Sequence, residues 1–211
     1  MNKCELLNLT IQRLCNATRG GGGGGLPAEY QQVEYLESSG AQIINTDIDV
    51  NDNNVIDCTF TNYSISTTFV CGSVYAGWAT NTLGYNSGAG MICYYLSNKG
   101  YKFSQTGTLH VIASKDSVTV DGVSIASSSD NNGGGGKFCM FSCYQRVNSP
   151  GRQYGKIKLY SLTISKYGTP LGDYIPCYRK SDGKPGLYDL VTNTFLTNAG
   201  TDADFTVGNN V

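Results

Sequence analysis

Short runs in which apolar and polar residues alternate fill the chain from residue 26 onward. The clearest lies at residues 55–63, where Ile56, Cys58 and Phe60 share one face and polar residues stand between them. A period of two is that of a β-strand with one buried face. No stretch after residue 26 shows a sustained helical period, so the pattern predicts an all-β structure.

Turn residues separate these runs. Asp121-Gly122 stands between two runs of alternating β-branched residues and predicts a two-residue hairpin over residues 117–125. The other predicted strands are residues 33–35, which we expect at a sheet edge, and residues 41–48, 67–73, 91–96, 108–114, 137–144, 156–165 and 205–207. About a dozen short strands at this spacing predict two antiparallel sheets packed as a sandwich or jelly roll.

Two stretches lack a clear strand pattern and are predicted to be loops. Residues 74–90 are rich in Gly, Asn and Tyr and contain the single tryptophan, Trp78. Residues 127–136 are a low-complexity run of Ser, Asn, Asp and Gly. We expect the second of these loops to contribute nothing to a core.

The segment 174–200 is predicted to close the sandwich. Residues 181–186 have the composition of a turn, in which Gly183 and Gly186 are free to adopt positive φ and Pro185 fixes the bend. Four apolar residues are expected to seal the core against the opening strand, namely Leu187, Leu190, Val191 and Phe195.

The first 19 residues differ from the rest and predict a short helix. Asn2 and Glu5 have the spacing of a capping box. Apolar residues at spacings of three, four and three form one seam, made of Cys4, Leu7, Ile11 and Leu14. The helix is expected either to pack on its own domain or to dock on another protein or on copies of itself, for example as a trimer.

Six consecutive glycines, Gly20–Gly25, follow this helix. Such a linker is flexible and has a mean reach of about 13 Å. It favours an independent role for the helix, because a flexible tether transmits no orientation. We therefore divide the chain into an anchoring or oligomerisation helix at 1–19, a linker at 20–25 and a β-sandwich at 26–208.

Composition narrows the classes of partner. The chain has 15 basic and 16 acidic residues and no basic cluster, so we expect no nucleic-acid partner. Its N-terminus lacks the pattern of a signal peptide, and no apolar run reaches membrane-spanning length. Synthesis in the cytoplasm and no membrane partner are therefore expected, with most of the eight cysteines serving as free, buried apolar residues.

Two motifs resemble one family of domains. Residues 26–47, which begin Leu26-Pro-Ala-Glu-Tyr, and the closing residues 174–189 are similar to the two ends of LamG-like, concanavalin A-like lectin-glucanase sandwiches. Such domains occur in phage virion proteins and in surface proteins of gut bacteria. The resemblance covers residues 26–208 and implies a jelly-roll fold, a binding or display role and glycan targets. Residues 1–25 lie outside it.

Catalysis is not predicted. Glycosidases of this fold need two facing carboxylates from a Glu-x-Asp-x-Glu strand. The four glutamates, Glu5, Glu29, Glu34 and Glu37, all precede the body of the sandwich. His110 lies within a predicted strand among apolar neighbours, which favours a structural histidine over a catalytic one.

Metal binding is also not predicted. The spacing of Cys139 and Cys143 on a strand favours packing over zinc. The LamG resemblance leaves calcium as an open alternative, although the nearby aspartates lack a calcium-loop pattern. These aspartates are Asp47, Asp49, Asp52 and Asp57.

A glycan site needs an aromatic surface together with amide or hydroxyl groups. The loop at 74–90 offers both, in Tyr75, Trp78, Asn81, Tyr85 and Asn86. Tyr144 and Arg146 belong to a second candidate set. The alternative is that these aromatic residues cover the edge of the core with their polar groups in water.

Together these features predict a non-enzymatic phage structural protein, such as a head-fibre, decoration or tail-fibre-type protein. Residues 1–19 would bind other virion proteins, and the sandwich would adhere to a host-surface glycan. Two alternatives stay open. The chain could be a carbohydrate-binding module of a bacterial cell-surface protein, or a structural virion component with no ligand.

Overall fold

A computed structural model describes residues 25–51, 53–63, 69–75, 78–86, 91–96, 99–129, 136–142, 154–200 and 203–211. In strand residues 74–75, 78–81, 85–86, 91–96, 99–100 and 127–129, only the backbone is described. These residues form an all-β structure of two antiparallel sheets, with no helix. The predicted N-terminal helix and its seam residues Cys4, Leu7, Ile11 and Leu14 lie outside the described residues, so they stay predictions.

The described residues form eighteen strands. The first nine are β1 (Tyr30–Gln32), β2 (Leu36–Glu37), β3 (Ile44–Asp49), β4 (Asn54–Asn62), β5 (Phe69–Tyr75), β6 (Trp78–Asn86), β7 (Met91–Leu96), β8 (Lys99–Phe103) and β9 (Gly107–Ala113). The others are β10 (Val118–Val120), β11 (Val123–Ile125), β12 (Ser127–Ser129), β13 (Lys137–Met140), β14 (Ile157–Lys166), β15 (Thr169–Arg179), β16 (Pro185–Asp189), β17 (Thr194–Thr197) and β18 (Thr206–Val207).

The larger sheet contains eleven strands, eight of them in the order β11-β10-β9-β4-β14-β15-β16-β17. The short strands attach beside this path, since β1 pairs with β15 and β2 pairs with both β14 and β18. The smaller sheet has seven strands in the order β12-β8-β7-β6-β5-β13-β3. Every pairing is antiparallel, as the sequence predicts for strands joined by turns.

Buried side chains from both sheets meet in one core. Ile56, Cys58 and Phe60 of β4 are fully buried, which confirms the inward face predicted from the sequence. The smaller sheet contributes Val70, Cys71, Leu83, Phe138 and Met140 to the same cluster. The two sheets therefore pack face to face as a β-sandwich.

The hairpin predicted at Asp121-Gly122 is confirmed. Asp121 has φ of 50° and Gly122 has φ of 79°, and Val120 lies opposite Val123 in the flanking strands. Two consecutive positive φ angles define the type I′ turn that matches the twist of the flanking strands.

The prediction of a loop at residues 74–90 is wrong for most of that segment, because β6 lies within it and pairs with β5 and β7. The many polar residues of this segment are typical of a loop, so the sequence pattern does not indicate a strand. Thr82 is buried, and its hydroxyl donates to the Ser73 carbonyl oxygen at 2.9 Å, so the polar group is satisfied inside the sheet. Residues 127–129, also predicted as loop, form β12.

The opening segment of the sandwich is not at a sheet edge, contrary to the prediction. On one side β1 pairs with β15. On the other side the C-terminal residues run antiparallel to it, with Gly208 N donating to Tyr35 O at 3.0 Å and Val211 N to Gln32 O at 3.1 Å. Both edges of this segment are therefore paired.

The closing turn forms as predicted at Gly183, which has φ of 69°. Arg179 and Asp182 lock it through two hydrogen bonds of 3.1 and 2.6 Å, and hydrogen bonding to Arg179 lowers the pKa of Asp182 to about 2. Gly186, however, is not among the described glycines with positive φ. Its need for glycine comes from a close approach to β17.

The predicted apolar seal is partly wrong. Leu187 is fully buried and Phe195 packs on the Tyr30 ring at 4.8 Å, which connects the closing segment to the opening strand. Val191 is 41% exposed, because it lies in the turn between β16 and β17. Asp189 organises that turn through hydrogen bonds to backbone and hydroxyl groups.

Candidate functional site

Among the predicted glycan-binding residues of β5 and β6, the backbone brings two aromatic residues together. Tyr75 and Trp78 are Cα partners at one end of the β5–β6 pair. Tyr85 and Asn86 lie at the other end of β6, opposite residues of β7. Trp78 and Tyr85 are seven positions apart along β6, which corresponds to roughly 23 Å. The predicted set is therefore split between two ends of a strand, with Asn81 between them.

The second predicted set, Tyr144 and Arg146, lies outside the described residues. So does Cys143, the proposed neighbour of Cys139. The roles predicted for these residues therefore stay predictions.

A different group of polar and aromatic residues lies on the outer face of the larger sheet. Five residues from five strands are paired in register and form one row, in the order Thr108, Thr61, Lys158, Glu37 and Thr206. Each is at least partly accessible, while the residues that alternate with them face the core. Tyrosines and a second lysine flank this row. We call Tyr35, Tyr63, Lys156, Lys158 and Tyr160 the lysine–tyrosine surface.

Aromatic rings hold the Lys158 ammonium in place. Its Nζ lies 4.2 Å from the centroid of the Tyr35 ring and 6.0 Å from that of Tyr63. Tyr160 packs edge-on against Tyr35, with 5.6 Å between ring centroids. Partial burial lowers the pKa of Lys158, but hydrogen bonds to the two tyrosines outweigh it, and the net effect raises that pKa. The group therefore carries a positive charge at neutral pH.

Hydrogen bonds fix the neighbouring hydroxyl groups. Tyr63 Oη donates to Glu37 Oε1 at 2.7 Å, and burial together with this bond raises the pKa of Tyr63 to about 12. Thr61 Oγ1 lies 2.8 Å from Thr108 Oγ1 and 3.0 Å from Tyr160 Oη. The result is an ordered set of donors and acceptors on a rigid sheet.

His110 lies farther along the same outer face. Its Nε2 is 2.8 Å from Asp57 Oδ1, and its backbone N–H donates to Asp121 Oδ1 at 2.9 Å. The hydrogen bond to Asp57 raises the pKa of His110. His110 thus has an acidic hydrogen-bond partner, which the sequence does not predict.

We expect this pair to make stability depend on pH. Because the pKa of His110 is higher in the folded state, its stabilisation is complete below the unfolded value of about 6.5 and is lost as pH rises through the folded pKa. Solvent screens a half-exposed pair, so the loss between pH 6 and 8 should be below about 1 kcal/mol. Urea titrations at both pH values measure it. Asp57→Asn and His110→Gln should each flatten the dependence, and an unchanged slope in both variants would contradict this.

The cysteines that the structure describes at side-chain level behave as small apolar residues. Cys58, Cys71, Cys139 and Cys177 are all buried, and the thiols of Cys58, Cys71 and Cys177 are free. Burial raises the pKa of Cys71 and of Cys177 to about 12, so these thiols are not activated. Cys139 Sγ donates to the Ser142 carbonyl oxygen at 3.0 Å, which favours the packing role predicted for it.

Metal-ligating side chains do not cluster in the described part of the chain, where no three His, Cys, Asp or Glu side chains are placed to hold an ion. Two of the aspartates considered for calcium have other partners, since Asp49 is paired with Lys137 at 2.8 Å and Asp57 is hydrogen-bonded to His110. Asp52 lies outside the described residues.

A cavity of about 470 Å³ opens beside the closing turn. Its lining comprises Tyr178, Gly183, Pro185, Asp204, Phe205 and Val207. Asp204 is paired with Lys184 at 2.7 Å, so its carboxylate is already engaged at the rim. The cavity therefore offers few free polar groups to fix a ligand.

No protein-family model, curated protein or solved structure matches this chain. The resemblance to LamG-like domains thus rests on its sequence motifs. Within the described residues, no helix has the length and apolar character needed to cross a membrane.

Proposed function

We propose that this protein is a non-enzymatic structural component of a bacteriophage particle that displays a lectin-like β-sandwich for adhesion to a host-surface glycan. Residues 1–19 form a helix that binds other virion proteins or trimerises, and the linker at 20–25 separates it from the displayed domain. The sandwich is of the concanavalin A-like jelly-roll type. The virion assignment is supported by the two LamG-like motifs and by the helix-and-linker pattern of the N-terminus.

The observation that best supports glycan recognition is the register of β5 and β6. It makes Tyr75 and Trp78 direct cross-strand partners. Directly opposed residues of an antiparallel pair share a face of the sheet. We propose that the two aromatic residues at these positions form the platform on which the apolar face of a sugar stacks.

The experiment that tests this function compares three proteins: the full chain, a chain lacking residues 1–25, and Trp78→Ala. Each is supplied to particles assembling without the native copy, and particle-bound protein and adhesion to host cells are measured. The truncated chain should be absent from purified particles. Trp78→Ala should assemble normally but lose about thirtyfold or more in adhesion, because truncating a central aromatic residue commonly costs about 2 kcal/mol or more of binding.

Three outcomes would count against the proposal. Normal incorporation of the truncated chain would show that residues 1–19 do not anchor the protein in the particle. Full adhesion by Trp78→Ala would show that the Tyr75–Trp78 pair of β5 and β6 does not take part in recognition. Absence of even the full chain from particles, together with binding to glycans in solution, would favour a cell-surface carbohydrate-binding module.

A further inference from the structure

We propose that the lysine–tyrosine surface is a second binding site and that its ligand is an acidic saccharide, one that carries a carboxylate group. The surface belongs to the larger sheet, whereas Tyr75 and Trp78 lie in the smaller sheet. The inference shares with the proposed function only the assumption that the ligand is a glycan. The two sites can therefore be tested separately.

The positive charge of the surface is the first support. Lys158 is held by the tyrosine rings, and the ion pairs between described residues include neither Lys158 nor Lys156. The two lysines are two residues apart along the chain, about 7 Å, and the exposed Lys156 precedes the strand on the same side. An ammonium group held by rings, with no carboxylate partner, can donate charge-assisted hydrogen bonds to an incoming anion.

The tyrosines supply the second support. Tyr63 is 48% exposed, and its hydroxyl is held by Glu37, so its ring has a fixed position and an accessible apolar surface. Tyr35 has a different role, because Lys158 already lies over its ring. One tyrosine is thus available for a sugar ring to stack on, and the other positions the ammonium group beside it.

Hydroxyl groups extend the surface along the row. Thr61, Thr108 and Tyr160 form a hydrogen-bonded group next to Lys158, where each hydroxyl can also bind a sugar hydroxyl. The row from Thr108 to Thr206 crosses four strand spacings, or about 19 Å. This length favours an extended oligosaccharide over a single small molecule.

Glu37 is the one acidic side chain in the row, and it allows the role of charge to be tested directly. Two lysines face one glutamate, so the surface is locally positive although the whole chain has a formal net charge of −1. The Glu37 carboxylate should weaken binding of an acidic saccharide. Its replacement by glutamine keeps an oxygen to accept the Tyr63 hydroxyl and removes the charge, so binding should become tighter.

The test uses the full chain and two carboxylated probes, sialyllactose and trigalacturonate, each compared with its methyl ester. The ester preserves the sugar and removes the negative charge. We expect at least one acid to bind about fivefold or more tightly than its ester, and added salt to reduce this difference. Lys158→Gln should abolish the preference, Lys158→Arg should retain part of it, and Glu37→Gln should increase the affinity about twofold to fivefold.

A matched lysine serves as the control. Lys166 also lies near a tyrosine ring, with Nζ 5.7 Å from the centroid of Tyr167, but it is at the opposite end of β14. Lys166→Gln should leave the affinity for both acids unchanged. Thermal unfolding of every variant establishes that the fold is intact, and Lys158→Arg serves as the second variant if Lys158→Gln is unstable.

The outcomes separate the two sites. Equal affinity for acid and ester, or an unchanged preference in folded Lys158→Gln, would overturn the second site. If Trp78→Ala abolishes binding while Lys158→Gln has no effect, the ligand lies at the Tyr75–Trp78 pair and only the proposed function stands. If Lys158→Gln abolishes binding and Trp78→Ala has no effect, the second site stands and the Tyr75–Trp78 pair does not bind these saccharides.

Discussion

Replacing Gly186 by alanine is expected to lower the free energy of unfolding by about 3 kcal/mol, the upper end of the usual cost of overpacking. A methyl group at this position would collide with the backbone carbonyl oxygen of Leu196 and would lie 2.8 Å from the Phe195 ring. The carbonyl belongs to β17, which is paired with β16 and so has little freedom to withdraw. The two strands would have to separate locally.

Urea denaturation of the wild type and the variant measures this loss, with Gly25→Ala as the control. A methyl group at Gly25 meets no atom within 4 Å, so the control should unfold at the wild-type urea concentration. Equal midpoints for Gly186→Ala and the wild type would show that β16 and β17 approach each other less closely than described.

Replacing Phe60 by alanine is the second large effect, with an expected loss of about 3–5 kcal/mol. The side chain is fully buried on β4, between β9 and β14, where it contacts the core from the middle of the larger sheet. Truncation leaves a cavity that paired strands on both sides cannot close. For a domain of this size the loss corresponds to a fall in melting temperature of roughly 6–20 °C.

Val123→Ala is the matched control for Phe60→Ala. Val123 is 64% exposed in β11, the outermost strand of the larger sheet, so its truncation should change stability by less than about 0.5 kcal/mol. Calorimetry of both variants distinguishes core burial from a general intolerance of substitution. A similar fall in melting temperature for both would contradict the assignment of Phe60 to the core.

The strands that the sequence predicts well are those with one buried face and one exposed face. Residues 55–63 and the hairpin at 117–125 combine strict alternation with a specific turn, so burial and local backbone preference agree. The segment 74–90 is hard to predict because Thr82 and its polar neighbours are typical of loops when the surrounding sheet is unknown. The hydroxyl of Thr82 is satisfied by a carbonyl group in another strand, that of Ser73, which the local sequence does not reveal.

The lysine–tyrosine surface could not be predicted for a related reason. Tyr35, Tyr63 and Lys158 are far apart in sequence, and only the registers of β2, β4 and β14 bring them together. A weak signal was present, since Lys156, Lys158 and Tyr160 alternate with the buried residues of one strand. Alternation identifies an outward face, but it does not specify which outward residues of other strands lie beside it.

The pairing of the opening strand on both edges has a mechanical consequence. A pull through the glycine linker enters the sandwich just before β1, which is bonded to β15 on one side, while the residues that follow are bonded to the C-terminal segment on the other. An unpaired edge strand would peel away one hydrogen bond at a time under such a load. Here the opening segment is the first to bear tension, and it shares that tension with β15 and with the C-terminal segment. The sandwich should therefore resist unfolding from its N-terminal end while the linker is stretched.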